Sequence, residues 1–569
     1  MRLASDRRET RRPHSNLACP ASTDKMCRPF LNPFDPGRLK TYPLEEELPV
    51  SRRLRLSSLL VVSVLIVGTL SALAEDRVPP KVLEVMDSAK YKQAHWGLLA
   101  VDLKTGDVRY ELSSAKLFAP ASTTKCFSVA CALDAFGADH RFETPIVRRG
   151  EVNDKGELTG DLILIASGDL TLGGRTTETG EIAFTNGDHT YASGGTESEL
   201  TPQDPLAGLN QLARQVAQAG IKRVRGDVLI DDRLFEKAEG SGSGPGRITP
   251  IYINDNLFDF TITPTKAGQP AEVKWRPESK SFRIETHVET IAKDGKTETS
   301  VRDLGGGRIS VSGRIAEGHK PVLRVLEASD ANSFARTLLI EALHRQGIEV
   351  EAPAAADHPT DKLPPRDETL KLPSVAKFVS PPFAENARLI LKVSHNLHAS
   401  TLPLLVAAKH GERTLSQGLR RQHDFLKRVG VDVDTISFGG GAGGSRADYT
   451  TPTATVQLLR HMATRSDFDA YRRAMPRLGV DGTLAKSVGT DSPAKDKVSA
   501  KTGTLYWENV MNANSLLTSK ALAGYMTTSK GDTLAFALFV NNAPLRNGLT
   551  TTAVGKDLGH IAELLFEQP

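Results

Sequence analysis

Three short strings, far apart and in fixed order, constrain this chain more than anything else in it. They are Ser122-Thr-Thr-Lys125, Ser394-His-Asn396 and Lys501-Thr502-Gly503. A serine hydroxyl is a poor nucleophile at neutral pH and needs a base beside it. A lysine one helical turn on shares its face and can be that base once burial or a nearby positive charge has removed its proton. The Ser-x-Asn string offers a hydroxyl to relay a proton and an amide to hold a substrate amide. Lys501, with the hydroxyls of Thr502 and Thr504, suits a substrate carboxylate. The trio works only if the fold gathers it at one place. The 268 residues between Lys125 and Ser394 must therefore leave one catalytic layer and return to it.

Each string is weak alone. Ser-x-x-Lys also occurs at Ser22, Ser113, Ser374 and Ser492, and Lys-Thr-Gly recurs at Lys104. Local patterning chooses among them. Trp96–Asp102 and Val108–Tyr110 read as a hairpin with Lys104–Asp107 as its turn, which makes the first Lys-Thr-Gly turn chemistry. Ser122 follows Phe118-Ala-Pro-Ala and opens an apolar helical stretch that ends at Gly137. Helix-start N–H groups near Ser122, with a strand N–H near Thr504, would form an oxyanion hole. Short β-like runs broken by Gly, Pro and Asp fill residues 142–364, and 352–367 is a linker candidate. Phe383–Lys409 is helical, with Ser394-His-Asn396 within it or interrupting it. Further helices are expected near 415–429, 453–463 and 467–474. The strand carrying Lys501 begins an antiparallel series, and a helix over 551–566 closes the chain.

Composition removes one class of function. Residues 1–74 hold 12 of the 72 Lys and Arg and 7 of the 68 Asp and Glu, leaving 60 basic against 61 acidic residues after them. That balance gives no reason for a nucleic-acid partner or more than peripheral membrane association. Arg52, Arg53 and Arg55 precede the apolar run Leu56–Leu73, which ends in Ala72-Leu-Ala74. This reads as a signal peptide cleaved after about Ala74, sending the protein to the periplasm. An uncleaved anchor is the alternative, diluted by Ser57, Ser58, Ser63, Thr69 and Ser71. Beyond Ala74 only Cys126 and Cys131 remain. Five apart on one helix they face different ways, so no disulfide is expected.

Over nearly all its exported length the chain resembles the D-alanyl-D-alanine carboxypeptidase/endopeptidases, the class C low-molecular-mass penicillin-binding proteins. The resemblance is carried by Phe-x-Pro-Ala-Ser-x-x-Lys at 118–125, Gly168-Asp169, Asn254-Asp-Asn256, Gly479–Leu484, Ala500–Thr504 and Leu522-Ala-Gly-Tyr525. It implies an α+β fold, a penicillin-binding/β-lactamase-like transpeptidase domain interrupted by a β-rich nested insertion. The expected layout is a leader over 1–74, a catalytic domain over 75–141 and 365–569, an inserted domain over 142–165 and 247–364, and a nested second insertion over 166–246. Ser122 is the implied nucleophile, Lys125 the base and Ser394 the second catalytic hydroxyl. Asn396, Lys501, Thr502, Gly503 and Thr504 are the implied substrate-binding residues. No cofactor and no metal are expected. Substrates would be peptidoglycan stem peptides, with β-lactams as covalent inhibitors. A β-lactamase-like or esterase activity, or a wall-binding module with a degenerate site, are the rivals.

Three departures stand out. Where the family has Asp-Gly-Ser-Gly-Leu-Ser-Arg, this chain has Gly440-Gly-Ala-Gly-Gly-Ser-Arg446. An extra stretch of roughly ten residues lies between Tyr506 and Lys520, a candidate lip over the cleft. The middle residue of the second string is His395 where Asp is common, and is expected at the surface.

Overall fold

The computed structural model describes residues 77–194 and 197–567. The expected signal peptide and its cleavage point lie outside them. No helix among the described residues is long and apolar enough to cross a membrane.

The catalytic layer is a five-stranded antiparallel sheet in the order Val498–Asn509, Asn514–Thr527, Thr533–Leu545, His95–Asp102 and Val108–Leu112. The first three strands are consecutive, whereas the last two come from the other end of the chain. Successive side chains on a strand face opposite ways, and both faces here are covered. Leu98 and Ala100, with Phe536, Leu538 and Val540, pack toward the terminal helix Thr551–Glu567. Leu99 and Val101, with Ala537 and Phe539, pack toward a second core that holds the helix Thr124–Phe136. Thr124 to Leu133 of that helix are all buried. An apolar helix without a wet face belongs in the middle of a domain, and this one carries Lys125.

The insertion contributes a six-stranded mixed sheet. Glu157–Ile165 pairs antiparallel with Glu143–Val152, and parallel with both Arg223–Val224 and Val228–Asp231. Ser374–Val379 closes one edge on Glu143–Val152. Two small three-stranded sheets occupy residues 257–327. This arrangement departs from the expected boundaries in two places. Residues 223–231, assigned to the nested insertion, pair inside the parent sheet. The segment 374–379, assigned to the catalytic half, is a strand of the same sheet. The cause is a parallel crossover through the helix Ala207–Gln218, which returns the chain beside the strand it left. The 352–367 stretch is fastened down: the buried Arg336 guanidinium donates to the carbonyls of Pro353, Ala354 and Ala356.

Candidate active site

The backbone around Ser122 is clamped from both ends. Phe118 exchanges two backbone hydrogen bonds with Thr450, and the turn Ala121–Thr123 runs straight into the buried helix. Lys125 is therefore drawn fully inside, with 0% exposure. Its Nζ lies 2.9 Å from Ser122 Oγ, 2.7 Å from Asn396 Oδ1 and 2.7 Å from the Ala442 carbonyl. A neutral lysine has two N–H groups and one lone pair. Asn396 and Ala442 match the two donors, which leaves the lone pair facing the Ser122 hydroxyl. Burial, and next the positive charge of Lys501, hold Lys125 well below the ordinary lysine range, with Asp448 pulling the other way. The form that can take a proton from Ser122 is thus both favoured and fully satisfied in its hydrogen bonds.

The second string interrupts two helices, Phe383–Lys392 and Asn396–Lys409. Ser394 sits between them at φ +65°. Its carbonyl accepts from the Tyr191 hydroxyl at 2.5 Å. Its Oγ accepts from Lys501 Nζ at 2.9 Å. Lys501 also donates to the Thr502 carbonyl at 2.7 Å. It is fully buried, which brings its pKa down to about 7, with Cys126 opposing and the cation Lys520 adding to the shift. One hydrogen-bonded assembly therefore joins all three strings.

The strand Val498–Asn509 passes so close that Gly503 lies against Pro120 and Ala121. The Thr502 hydroxyl donates to Thr483 at 2.7 Å. Thr483 belongs to the Gly479–Leu484 segment, pinned by Asp481 between Lys392 and Arg477. Ser122, Ser394, Asn396, Thr502 and Thr504 all line one cleft of about 760 Å³.

The altered 440–446 loop keeps its place through its backbone. Ala442 offers its carbonyl to Lys125, Gly441 accepts from Ser128 Oγ at 2.8 Å, and Asp448 takes the N–H groups of Gly439 and Ser445. A methyl group at 442 removes nothing from the contact with Lys125. Of the loop glycines, Gly443, at φ +84°, is held tightest: an added Cβ would lie 1.9 Å from the Ala121 carbonyl oxygen, one residue from Ser122. Gly443→Ala is expected to cost about 3 kcal/mol in urea unfolding and to slow covalent labelling by penicillin. A variant as stable and as quickly labelled as wild type would show the loop free to yield.

His395 is not a surface residue. It is fully buried, caps the second helix by accepting from His398 N at 3.3 Å, and stacks on the His398 ring at 3.7 Å. The insertion supplies what lies around it. Asp255, in a run of three positive-φ residues, accepts from Arg175, His189 and His398. Asp188 accepts from Arg175. Burial disfavours charge on His189, but Asp259 and Asp255 outweigh it and raise its pKa to about 10. Burial pushes His398 down to about 4. Asp255, His395 and His398 bring potential metal-ligand atoms within 4.8 Å of one another. The charges do not suit a metal: the Arg175 guanidinium and a charged His189 already neutralise Asp255, which leaves the trio little negative charge for a cation. Arg175 and His189 form a buried ion-pair network with Asp188, Asp255 and Asp259, and His395 and His398 pack against it beneath Ser394 and Asn396.

Sequence reasoning missed the contributions of the insertion. The loop Ser241–Gly244 reaches the site, and Ser243 accepts from Asn396 Nδ2 at 2.8 Å. Gly242, at φ +98°, leaves 2.6 Å between an added Cβ and Asn396 Nδ2. The Ser-Gly-Ser-Gly run was the signal for such a close approach. The Tyr506–Lys520 stretch lengthens two paired strands past the cleft. Tyr506 lines the cleft, Trp507 lies under the Arg446 guanidinium at 4.6 Å, and the tip exposes Met511 by 87%.

Comparison with known proteins gives a family and a shared fold. A family model described as the D-Ala-D-Ala carboxypeptidase 3 (S13) family matches residues 81–558. The D-alanyl-D-alanine carboxypeptidase of Actinomadura sp. (strain R39) is 25% identical over 481 residues, 80% of this chain and 79% of that protein. D-alanyl-D-alanine carboxypeptidase DacB of Haemophilus influenzae is 24% identical over 463 residues, 78% of this chain and 85% of that one. Among solved structures, penicillin binding protein 4 (dacB) of Haemophilus influenzae superposes with a TM-score of 0.64 at 21% identity. That match covers 85% of this chain and 99% of the other and shows a shared fold.

Proposed function

The chain belongs to the D-Ala-D-Ala carboxypeptidase 3 (S13) family, and from that premise we propose that Ser122 is its acylated nucleophile and Lys125 the base. Lys125 takes the Ser122 proton as Oγ attacks the carbonyl of the penultimate D-alanine of a peptidoglycan stem peptide. Ser394, held by Lys501, passes a proton to the departing nitrogen. Asn396 holds the substrate amide, and Lys501 with Thr502 and Thr504 receives the leaving residue's carboxylate. Water then releases the acyl group by the same route in reverse. The enzyme is a serine peptidase that releases terminal D-alanine and opens D-Ala–diaminopimelate cross-links, and β-lactams acylate the same serine. The carrying observation is the Lys125 environment, which satisfies a neutral lysine and leaves its lone pair for Ser122. The 440–446 change gives no support to a degenerate site, because backbone groups make those contacts.

We also place the catalytic domain at residues 77–142 and 380–567, with the insertion between them. The basic flank and apolar run before Ala74 support export to the periplasm.

Purified protein incubated with a stem pentapeptide is expected to release one D-alanine per peptide; no release would refute the assignment. The same assay has a predicted pH dependence. The base acts unprotonated, so kcat/KM rises as pH passes upward through the depressed pKa of Lys125. Lys501 binds a carboxylate only when protonated, so kcat/KM falls again above about 7. A bound carboxylate favours the charged lysine, which moves the falling limb of kcat to higher pH. Falling limbs of kcat and kcat/KM at the same pH would remove Lys501 from carboxylate binding.

A further inference from the structure

Lys520 belongs to none of the three strings, yet it stands in the cleft with them. In the antiparallel ladder it lies directly opposite Thr504, and Leu522 lies opposite Thr502. Opposed residues share a face of the sheet, as do residues two apart. Thr502, Thr504 and Lys520 therefore point to the same side, and all three line the cleft that holds Ser122 and Ser394. The Lys520 ammonium donates to Thr504 Oγ1 at 2.8 Å. Its far end is tucked against the terminal helix: a Cβ on Gly555 would lie 3.3 Å from Nζ. Burial lowers its pKa to about 8, and no carboxylate among the described residues offsets the shift.

An ordinary surface lysine keeps its ammonium in water or against a carboxylate. This one is half-sunk beside a threonine hydroxyl, at the end of the cleft where the leaving residue's carboxylate goes. Desolvating an ammonium without a counter-ion is unfavourable, and a bound carboxylate supplies the missing partner through a charge-assisted hydrogen bond. Thr504 Oγ1, which accepts from Lys520, would then turn its own hydrogen toward the anion.

We propose that Lys520 is a specificity-determining residue of this site, which takes the free carboxylate of the leaving residue beside Thr504 and so selects acyl donors that end in one. This rests on the assignment of Thr502 and Thr504 to that carboxylate.

The test uses two thioesters with the same acyl group, ending in D-alanine, and leaving thiols that differ only in charge: thioglycolate and its methyl ester. Wild type should prefer the charged donor. Lys520→Met should lower kcat/KM for it by about 10- to 100-fold and leave the neutral donor within twofold, so that the preference collapses. Lys520→Gln, which keeps a hydrogen bond to Thr504, should behave alike, and the unchanged neutral donor shows that the variants are folded. Equal losses on both donors in both variants, or no loss on either, would overturn the assignment of Lys520 while the Ser122 mechanism stood. Wild type that hydrolyses neither thioester would overturn both.

Discussion

Lys125→Met is expected to cut acylation of this protein by a β-lactam by about a thousandfold or more, and to leave it folded. The magnitude is what a positioned general base contributes to proton transfer. Methionine has nearly the volume of lysine, so the buried helix Thr124–Phe136 keeps its packing. What disappears is the one group whose lone pair faces Ser122 Oγ. Asn396 Oδ1 and the Ala442 carbonyl lose their donor, at a cost of about 1–3 kcal/mol each. Removing a buried amine, which had itself been taken out of water, offsets part of that loss. The melting temperature should therefore move by a few degrees while labelling nearly stops. Timed labelling with a fluorescent penicillin, beside a thermal melt, reads both. Labelling at the wild-type rate would transfer the base role to the Lys501–Ser394 pair.

The division between what the sequence made legible and what it did not follows the range of the interactions. Ser122 was readable because its signals are local: a Pro-Ala approach, a helix start and a lysine one turn on. The strands and helices of the catalytic layer were readable for the same reason, since hydrophobic period and turn residues are local patterns. The nesting of the insertion was not. Whether Val228–Asp231 joins the sheet of Glu157–Ile165 depends on a parallel pairing across some sixty residues, and parallel partners leave no turn between them to read.

His395 failed for a related reason. Alone, a histidine between a serine and an asparagine looks solvated. It is buried because Asp188 and Asp255, more than a hundred residues away in sequence, come from the insertion to cover it. The 440–446 loop misled in the opposite direction. It lacks the acid and first serine of the family string, but the contact made there is through the Ala442 carbonyl, and a backbone group has no signature in the residue type. The insertion does more than decorate the fold: Tyr191, Ser243 and Asp255 reach Ser394, Asn396 and His395 of the second string from it. A deletion of the insertion would therefore be expected to damage the cleft as well as the stability.

Ser122→Ala should have the largest effect of any single change. Without the hydroxyl there is no acyl-enzyme, and the residual rate rests on binding and electrostatic stabilisation alone, a loss of about 10⁶-fold in kcat for a triad enzyme of comparable logic. Structurally the change is mild. Ser122 is partly exposed at the cleft, and among the described residues its Oγ bonds only to Lys125, which keeps Asn396 and Ala442. Folding should be untouched, so a negative result cannot be blamed on collapse. The decoys make the same experiment discriminating, because Ser113, Ser374 and Ser492 offer the same spacing elsewhere in the chain. Intact-mass analysis after exposure to benzylpenicillin reads the outcome directly. Wild type should gain the mass of one penicilloyl group, mapped to the peptide containing Ser122, and Ser122→Ala should gain none. A penicilloyl adduct on Ser122→Ala, or on any other serine of the wild-type protein, would contradict the account.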